Sequence, residues 1–238
     1  MDITKYLDTW AVSYRNDLIE NIMPFWMKFG LDRKHGGIYT CLDRDGKLMD
    51  STKSVWFQGR FGFIASYAYN HIEKKQEWLA ASKSCIDFIE THCTDIDGHL
   101  FFEVTEEGIP LRKRRYVFSE CFAAIAMSEY AIASGDKNYA TKALEMFKRI
   151  LKFLSTPGFL EPKYLPTLQS RGHSITMILI NTASRIREVI EDPVLDRQIN
   201  ESLTSIRQYF MHPEFKALLE MVGPKGELID TCNGRTIN

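Results

Sequence analysis

An aromatic ring and a cation stand at helical spacing in the most distinctive segment of the chain, residues 53–63. Trp56 and Arg60 are four residues apart, so on a helix the indole and the guanidinium share one face. A ring that can stack and a fork of N–H donors suit a polyhydroxylated ligand. The same spacing is also typical of a core tryptophan with a surface arginine beside it. Spacing alone leaves both interpretations open.

A tyrosine and a carboxylate form a second candidate group. Tyr116 and Glu120 are again four residues apart, at the start of a predicted helix, and can face the same way. The basic run that precedes them, residues 112–115, is typical of a solvated face, with an anion contact as the alternative.

His173 opens another predicted helix. The dipole at a helix N-terminus favours the neutral imidazole, which is the form that a general base requires. The alternative is an ordinary polar residue at a junction between a loop and a helix.

Metal and cofactor motifs are missing from the sequence. The five cysteines are scattered, and neither Cys-x-x-Cys nor His-x-x-x-His occurs, so we expect no metal site. There is also no Gly-x-Gly-x-x-Gly, Walker loop or Gly-x-Ser-x-Gly. We therefore expect no catalytic cofactor.

Composition excludes several classes of protein. The 238 residues carry 30 Lys and Arg against 31 Asp and Glu, which gives no case for nucleic-acid or anionic-membrane binding. No apolar run approaches the roughly 18 residues of a membrane span, and the N-terminus lacks leader features. With unpatterned cysteines, these features predict a reduced, cytoplasmic protein. The 12% of aromatic residues suits a core and sugar binding alike.

Helical periodicity dominates the chain and supplies the elements that would position these side chains. An apolar stripe over 3–29 ends at Gly30, and short β-hairpins are predicted within 31–50 and 97–110. The tail, 212–238, is predicted as loop with a short hairpin. Six more helices are predicted at about 53–72, 76–93, 117–134, 136–155, 172–191 and 193–210. Seven helices paired in sequence predict one domain over 1–238, built as a toroid of helical hairpins.

Six segments stand in order along the chain: FW with GLD and HGGIY (25–39), LDRDG (42–46), WFQGR (56–60), YVFSECFA (116–123), MILIN (177–181) and GRTIN (234–238). Their order and spacing resemble the N-acylglucosamine 2-epimerase family. That family also includes cellobiose 2-epimerases, aldose–ketose isomerases and renin-binding proteins.

The resemblance implies an all-α fold, an (α/α)6 barrel with short β-hairpins in its inter-helix loops and a sugar in the central funnel. It implies removal of a proton beside the carbonyl of the ring-opened sugar, then its return to the other face. Arg60 would lie near the carbonyl oxygen, and His173 is carried as the second catalytic candidate. The expected substrate-binding residues are Trp56, Gln58, Tyr116, Glu120 and Arg235.

Two departures from the family pattern shape the expectation. In the family, the segment 235–238 runs on to proline, glycine and a catalytic histidine, with a second catalytic histidine still later. We therefore expect an incomplete barrel, the N-terminal part of a longer protein, with little or no epimerase activity by itself. His173 does not align with the additional histidine of the isomerase members.

The leading hypothesis is a sugar 2-epimerase that interconverts N-acylglucosamine and N-acylmannosamine. An aldose–ketose isomerase, a cellobiose 2-epimerase and a non-catalytic sugar-binding fragment are the alternatives. Glycoside hydrolysis would need two carboxylates across a cleft, and no sequence feature pairs Glu120 with Asp230. The expected partner is a small-molecule sugar, with a homodimer and activation by ATP left open by the resemblance.

Overall fold

The computed structural model describes residues 2–113, 116–161 and 164–237. The chain divides into two units, Met1–Lys113 and Arg114–Asn238. Each is built mainly from antiparallel helix pairs, as the periodicity predicted, while the single-domain organisation stays a prediction. None of the helices in the described ranges is both long and apolar enough to cross a membrane.

The first unit begins with a helical run that contains two π-helical turns. It comprises α1 (Ile3–Asp17), a π-helical turn (Leu18–Ile22), α2 (Met23–Phe25) and a second π-helical turn (Trp26–Gly30). Asp2 caps α1 by accepting from the backbone of Thr4. Pro24 has no N–H to continue the α-helical ladder, so the preceding turn widens. The run was predicted as one regular helix, and its end at Gly30 is confirmed.

The helix pair of the first unit is α3 (Val55–His71) and α4 (Gln76–His92). Small residues let the two helices approach closely. The Ser66 hydroxyl donates to that of Ser82, which in turn donates to the Gly62 carbonyl, both at 2.7 Å. Trp78, Ile86 and other apolar residues of α4 are fully buried in this contact.

Short strands occupy the connections of the first unit. β1 (Cys41–Leu42) and β2 (Leu48–Asp50) form one hairpin. β3 (Lys53–Ser54), β4 (Glu103–Val104) and β5 (Pro110–Arg112) form an antiparallel sheet in that order. Both predicted hairpins are confirmed. The sheet also fixes where α3 begins, because β3 runs directly into it.

The second unit holds α5 (Phe118–Ser134), α6 (Lys137–Ser155), α7 (Ser174–Arg187) and α8 (Pro193–Ser205). A π-helical turn, Ile206–Phe210, continues α8. α5 is buried along most of its length and packs against both α6 and α7. α7 starts later than the predicted 172 because residues 171–172 form a strand, and it ends at Arg187, before the predicted 191.

The described residues of the second unit also form four two-residue strands, β6 (Arg171–Gly172), β7 (Met211–His212), β8 (Ala217–Leu218) and β9 (Met221–Val222), and a 3-10 turn at Asn233–Arg235. β7 and β8 form the hairpin expected in the tail. β9 instead pairs with β6 and so ties the tail to the segment before α7.

A buried ion pair joins the first inter-helix connection to the strand that leads into α3. The Lys53 ammonium lies 2.7 Å from a carboxylate oxygen of Asp32, and the side chains are 0% and 2% exposed. The same ammonium donates to the backbone carbonyls of Gly36 and Glu106 at 2.8 and 2.7 Å. It also lies 4.2 Å from the ring centre of Phe88. Lys53 therefore holds two separate loops against β3.

The environment of Asp32 keeps its carboxylate ionised. Burial acts to raise the pKa of Asp32, but hydrogen bonds from Lys53 and from the backbone N–H groups of His35 and Lys34 outweigh it. The pKa of Asp32 therefore lies below its ordinary value of 3.8. The contribution to stability is present above that value and is lost as the pH falls through the lowered pKa.

We expect Lys53→Met to lower the free energy of unfolding by roughly 3–5 kcal/mol, because it leaves the Asp32 carboxylate buried without its cation. The double variant Lys53→Met/Asp32→Leu should recover part of this loss, since no buried charge remains. Urea unfolding followed by circular dichroism at neutral pH measures both.

The control is Lys83→Met, which removes the cation of a pair with Asp87 whose side chains are 39% and 48% exposed. It should cost no more than about 1 kcal/mol. Equal losses from the two single lysine variants would contradict the role given to Lys53.

Candidate functional site

The start of α3 carries Trp56 and Arg60. The backbone N–H of Val55 donates to the Phe102 carbonyl at 2.9 Å, which fixes the first turn of the helix on the sheet. The half-buried Trp56 ring packs edge-on against Phe102 at 5.1 Å. The exposed guanidinium of Arg60 lies 6.0 Å from the Trp56 ring and 5.7 Å from that of Phe57. The predicted sharing of one helix face by Trp56 and Arg60 is confirmed.

Arg60 also borders a groove of about 370 Å³ in the first unit. The other residues that line it are mainly aromatic or aliphatic, among them Ile22, Trp26, Ile38 and Phe61. Tyr39 and Thr40 add hydroxyl groups. The arrangement offers a cation beside aromatic faces, which is the chemistry that the sequence suggested for a polyhydroxylated ligand.

Gln58 lies on the buried side of the same helix and is 0% exposed. The Ile38 N–H donates to its amide oxygen at 2.8 Å, and its amide nitrogen donates to the Ile38 carbonyl at 2.7 Å. Both ends of the amide are therefore engaged by one residue of the preceding loop. This geometry supports a positioning role for Gln58 and does not support the predicted contact with a substrate.

The second unit contains a cavity of about 710 Å³, which is within the range of small-molecule sites. Its wall includes the β6–β9 pair and the loop that follows α6. The polar and aromatic groups that line it include Tyr116, Tyr164, Gln169, Arg171, Ser174 and Glu220. Two phenols, a guanidinium and a carboxylate can together donate to and accept from several sugar hydroxyls.

Arg171 is held in place at the cavity wall. Its Nε donates to the Pro224 carbonyl at 2.6 Å, and its guanidinium lies 4.1 Å from the ring centre of Tyr209. Arg171 also belongs to β6, paired with Val222. Because backbone and side chain are both tied down, little side-chain freedom is lost when a ligand binds.

His173 lies next to the cavity but is 4% exposed, at the N-cap of α7. Its backbone N–H donates to the Glu220 carbonyl at 2.9 Å, and its ring packs edge-on against Phe210 at 5.4 Å. Its neighbours Gly172 and Ser174 line the cavity. The ring is directed to the core, so the geometry favours a positioning role for His173, and its catalytic role stays a prediction.

The pKa of His173 is lowered from its ordinary value of 6.5. Burial is the main cause, and the Glu220 carboxylate opposes it. The sequence predicted a neutral imidazole from the helix dipole. The lowered pKa agrees with the neutral form, while the dominant cause is loss of water around the ring.

The other two residues predicted in the second unit lie elsewhere. Glu120, in the first turn of α5, is fully buried. Arg235 is exposed, pairs with Asp230 and borders a separate depression of about 440 Å³. Of the residues predicted for this unit, Tyr116 lines the large cavity. Asp230 also borders the depression, so it and the buried Glu120 do not face each other across one cavity as hydrolysis would need.

Several residues of the cavity were missed by sequence reasoning. Tyr164, Arg171, Ser174 and Glu220 carry no motif, and β6 and β9 lie far apart in sequence. No local signal in the sequence identifies them, because the pairing of β6 with β9 is a contact between distant segments.

A family profile described as N-acylglucosamine 2-epimerase (GlcNAc 2-epimerase) matches residues 37–218, well over half of the chain. The chain belongs to the N-acylglucosamine 2-epimerase family. The N-acylglucosamine 2-epimerases of Rattus norvegicus and Homo sapiens are each 28% identical to it over 240 residues, which is 98% of this chain. A cellobiose 2-epimerase of Ruminococcus albus is 31% identical over 140 residues, 58% of this chain and 36% of that protein.

Solved structures of family members share the fold. A sugar epimerase from a ruminal bacterium matches with a TM-score of 0.81 and 22% identity, over 92% of this chain and 60% of that one. The cellobiose 2-epimerase of Bacillus thermoamylovorans B4167 gives 0.83 and 20%, over 93% and 61%. The predicted fold class, an all-α, incomplete (α/α)6 barrel with short hairpins, is confirmed. The chain spans 57% and 56% of the length of the rat and human relatives.

Gly37 and Gly135 make a matched pair that tests the role of Gln58, since both have φ of +73°. A Cβ on Gly37 would lie 2.5 Å from the amide oxygen of Gln58 and 3.1 Å from Phe88, whereas one on Gly135 would meet no atom within 4 Å. We expect Gly135→Ala to cost about 1 kcal/mol and Gly37→Ala roughly 2–4 kcal/mol. Thermal unfolding measures both, and similar losses would show that Gln58 does not constrain the loop.

We expect His173 to titrate below 6.5, as followed by its ring resonances in NMR and assigned with His173→Gln. The unfolded chain then binds the proton more readily, so stability should fall as the pH drops through 6.5 and level off below the folded pKa. Phe210→Leu should move the titration back towards 6.5, because it loosens the packing that excludes water. Titration at or above 6.5 in the unaltered chain would contradict the assignment.

Proposed function

We propose that this chain binds an N-acylated hexosamine and serves the interconversion of N-acylglucosamine and N-acylmannosamine. The observation that carries the proposal is the cavity of the second unit, where Tyr116, Tyr164, Arg171 and Glu220 converge in a chain of this family. In the first unit, taken by itself, Trp56 and Arg60 form an aromatic and cationic surface.

Epimerisation at C2 requires only a few kinds of chemical group. The C2 proton of an open-chain sugar is acidified by the adjacent aldehyde, so a base removes it and an acid returns one to the other face. The carbonyl oxygen gains negative charge as the proton leaves, and a fixed cation or N–H donor lowers the barrier there. We propose Arg60 for that role from the resemblance and from its exposed guanidinium. Tyr116 and Arg171 are proposed to orient the sugar hydroxyls.

The lining of the cavity supports an uncharged polyhydroxylated ligand over a strongly charged one. Arg171 and Glu220 bring one positive and one negative group to the same wall, so their fields largely offset each other. The phenols of Tyr116 and Tyr164 can each donate and accept. Cellobiose and aldose–ketose substrates share this chemistry and are therefore outcomes of the test.

A second candidate function is sugar binding without turnover. It is favoured by the position of His173, whose ring packs against Phe210 in the core rather than standing in the cavity wall. ATP activation, a homodimer and a cytoplasmic location remain predictions from the resemblance and the composition.

We expect N-acetylglucosamine and N-acetylmannosamine to bind, as detected by saturation-transfer-difference NMR, and cellobiose to bind more weakly. In deuterated water, exchange at C2 with build-up of the other epimer would support the epimerase. Binding without exchange would agree with the expectation that this chain has little or no epimerase activity by itself, and would favour the non-catalytic candidate for the chain alone. Exchange with mannose or cellobiose alone would assign the substrate to that sugar instead. Absence of binding to all of these sugars would overturn both candidates.

The cavity is tested by substitution of the residues in its wall. Tyr116→Ala and Arg171→Gln should each weaken sugar binding about 10-fold, since each removes a hydrogen-bonding group worth about 1.4 kcal/mol. Arg207→Gln, at an exposed arginine of the π-helical turn after α8, is the matched control and should leave affinity unchanged. Equal affinity in all three variants would place the sugar elsewhere.

A further inference from the structure

One histidine and two glutamates meet in the first unit, beside the buried pair of Lys53 and Asp32. A ring nitrogen of His35 and carboxylate oxygens of Glu106 and Glu107 all lie within 4.8 Å of one another. Among the residues that the structure describes, this is the one group of three or more such side chains close enough to share an ion. We propose that His35, Glu106 and Glu107 bind a divalent transition-metal ion.

The two segments that supply the ligands are held together by Lys53. Its ammonium donates to the carbonyl of Gly36, next to His35, and to the carbonyl of Glu106 itself. The Asp32 carboxylate, paired with the same ammonium, accepts from the backbone N–H of His35 at 3.0 Å. Both ligand-bearing backbones are thus fixed to one buried ion pair, and this lowers the cost of ordering them around an ion.

The imidazole of His35 provides an independent observation. Its Nε2 atom is shielded from solvent and has no hydrogen-bond partner among the described residues. A buried ring nitrogen without a partner costs about 1–3 kcal/mol. A metal ion bound through this nitrogen would supply the partner that it lacks.

The Glu106 carboxylate is oriented by a neighbouring hydroxyl group. The Tyr39 hydroxyl donates to Glu106 at 3.3 Å, an outer contact of the kind that orients ligating carboxylates. The ammonium of Lys53 is balanced by Asp32 and adds little net repulsion.

The ligand types select the class of ion. One imidazole nitrogen and two carboxylate oxygens suit Zn²⁺ or Mn²⁺, whereas Ca²⁺ prefers six to eight oxygens. Ligand atoms bound at about 2.0–2.2 Å lie roughly 3.5 Å apart in a tetrahedral site. Rotation of the two glutamate side chains closes the remaining distance of roughly 1 Å. Water would fill the other positions, as in sites with three protein ligands.

The sequence predicted no metal site, because His35 and the two glutamates stand at no recognised spacing. The chief competing arrangement is a simple ion pair between protonated His35 and one glutamate. Such a pair would need only one of the two glutamates, whereas the metal site needs both.

Isothermal titration calorimetry with Zn²⁺ tests the proposal in the Cys41→Ser/Cys232→Ser background, since these two exposed thiols could bind zinc by themselves. We expect one saturable Zn²⁺ per chain. His35→Gln, Glu106→Gln and Glu107→Gln should each weaken binding at least about 10-fold. In the unaltered background, a ring ¹⁵N resonance of His35 should shift on addition of Zn²⁺.

His71→Gln and Glu77→Gln are the matched controls, an exposed histidine and an exposed glutamate of the same unit, and should leave binding unchanged. Glu107 is exposed, so its variant keeps the test decisive even if His35→Gln fails to fold. Absence of saturable binding would overturn the proposal. So would full affinity in Glu107→Gln, or a His35 resonance that does not respond.

Discussion

The buried pair of Lys53 and Asp32 is the interaction on which the first unit depends. A lysine that is 0% exposed is costly unless its three N–H donors are met. Here the three acceptors are the Asp32 carboxylate, the Gly36 carbonyl and the Glu106 carbonyl. Each belongs to a loop, and Lys53 lies in the strand that runs into α3. One cation therefore sets where α3 starts and how two connections lie against it.

The consequences extend to the side chains that could bind a ligand. Trp56 and Arg60 follow Lys53 within the next two helical turns, so their position depends on the strand before them. Gln58 completes the arrangement from the helix side by engaging both backbone groups of Ile38. His35 lies between these two attachments, which is why its imidazole is held near the glutamates of the opposite hairpin.

In the second unit, the segment before α7 is held in place by backbone pairing instead of by a buried charge. Two residues of β6 and two of β9 join the segment before α7 to the tail, and the cavity lies along this pair. Arg171 and Glu220 reach the cavity because their backbones are fixed there. The same pairing seats His173 with its ring towards Phe210, where burial favours the neutral imidazole.

The sequence by itself determined the helices, the hairpins and the family. Apolar spacing and glycine positions are local properties. The family that the six ordered segments implied is the one whose profile matches residues 37–218. The sequence also placed Trp56 and Arg60 on one face, because four residues make about one helical turn. Tertiary structure alone decided that Gln58 supports a loop and that His173 faces the core. It also brought Glu220 beside Arg171 and His35 beside Glu106, because contacts between distant segments depend on packing and pairing that no local pattern encodes.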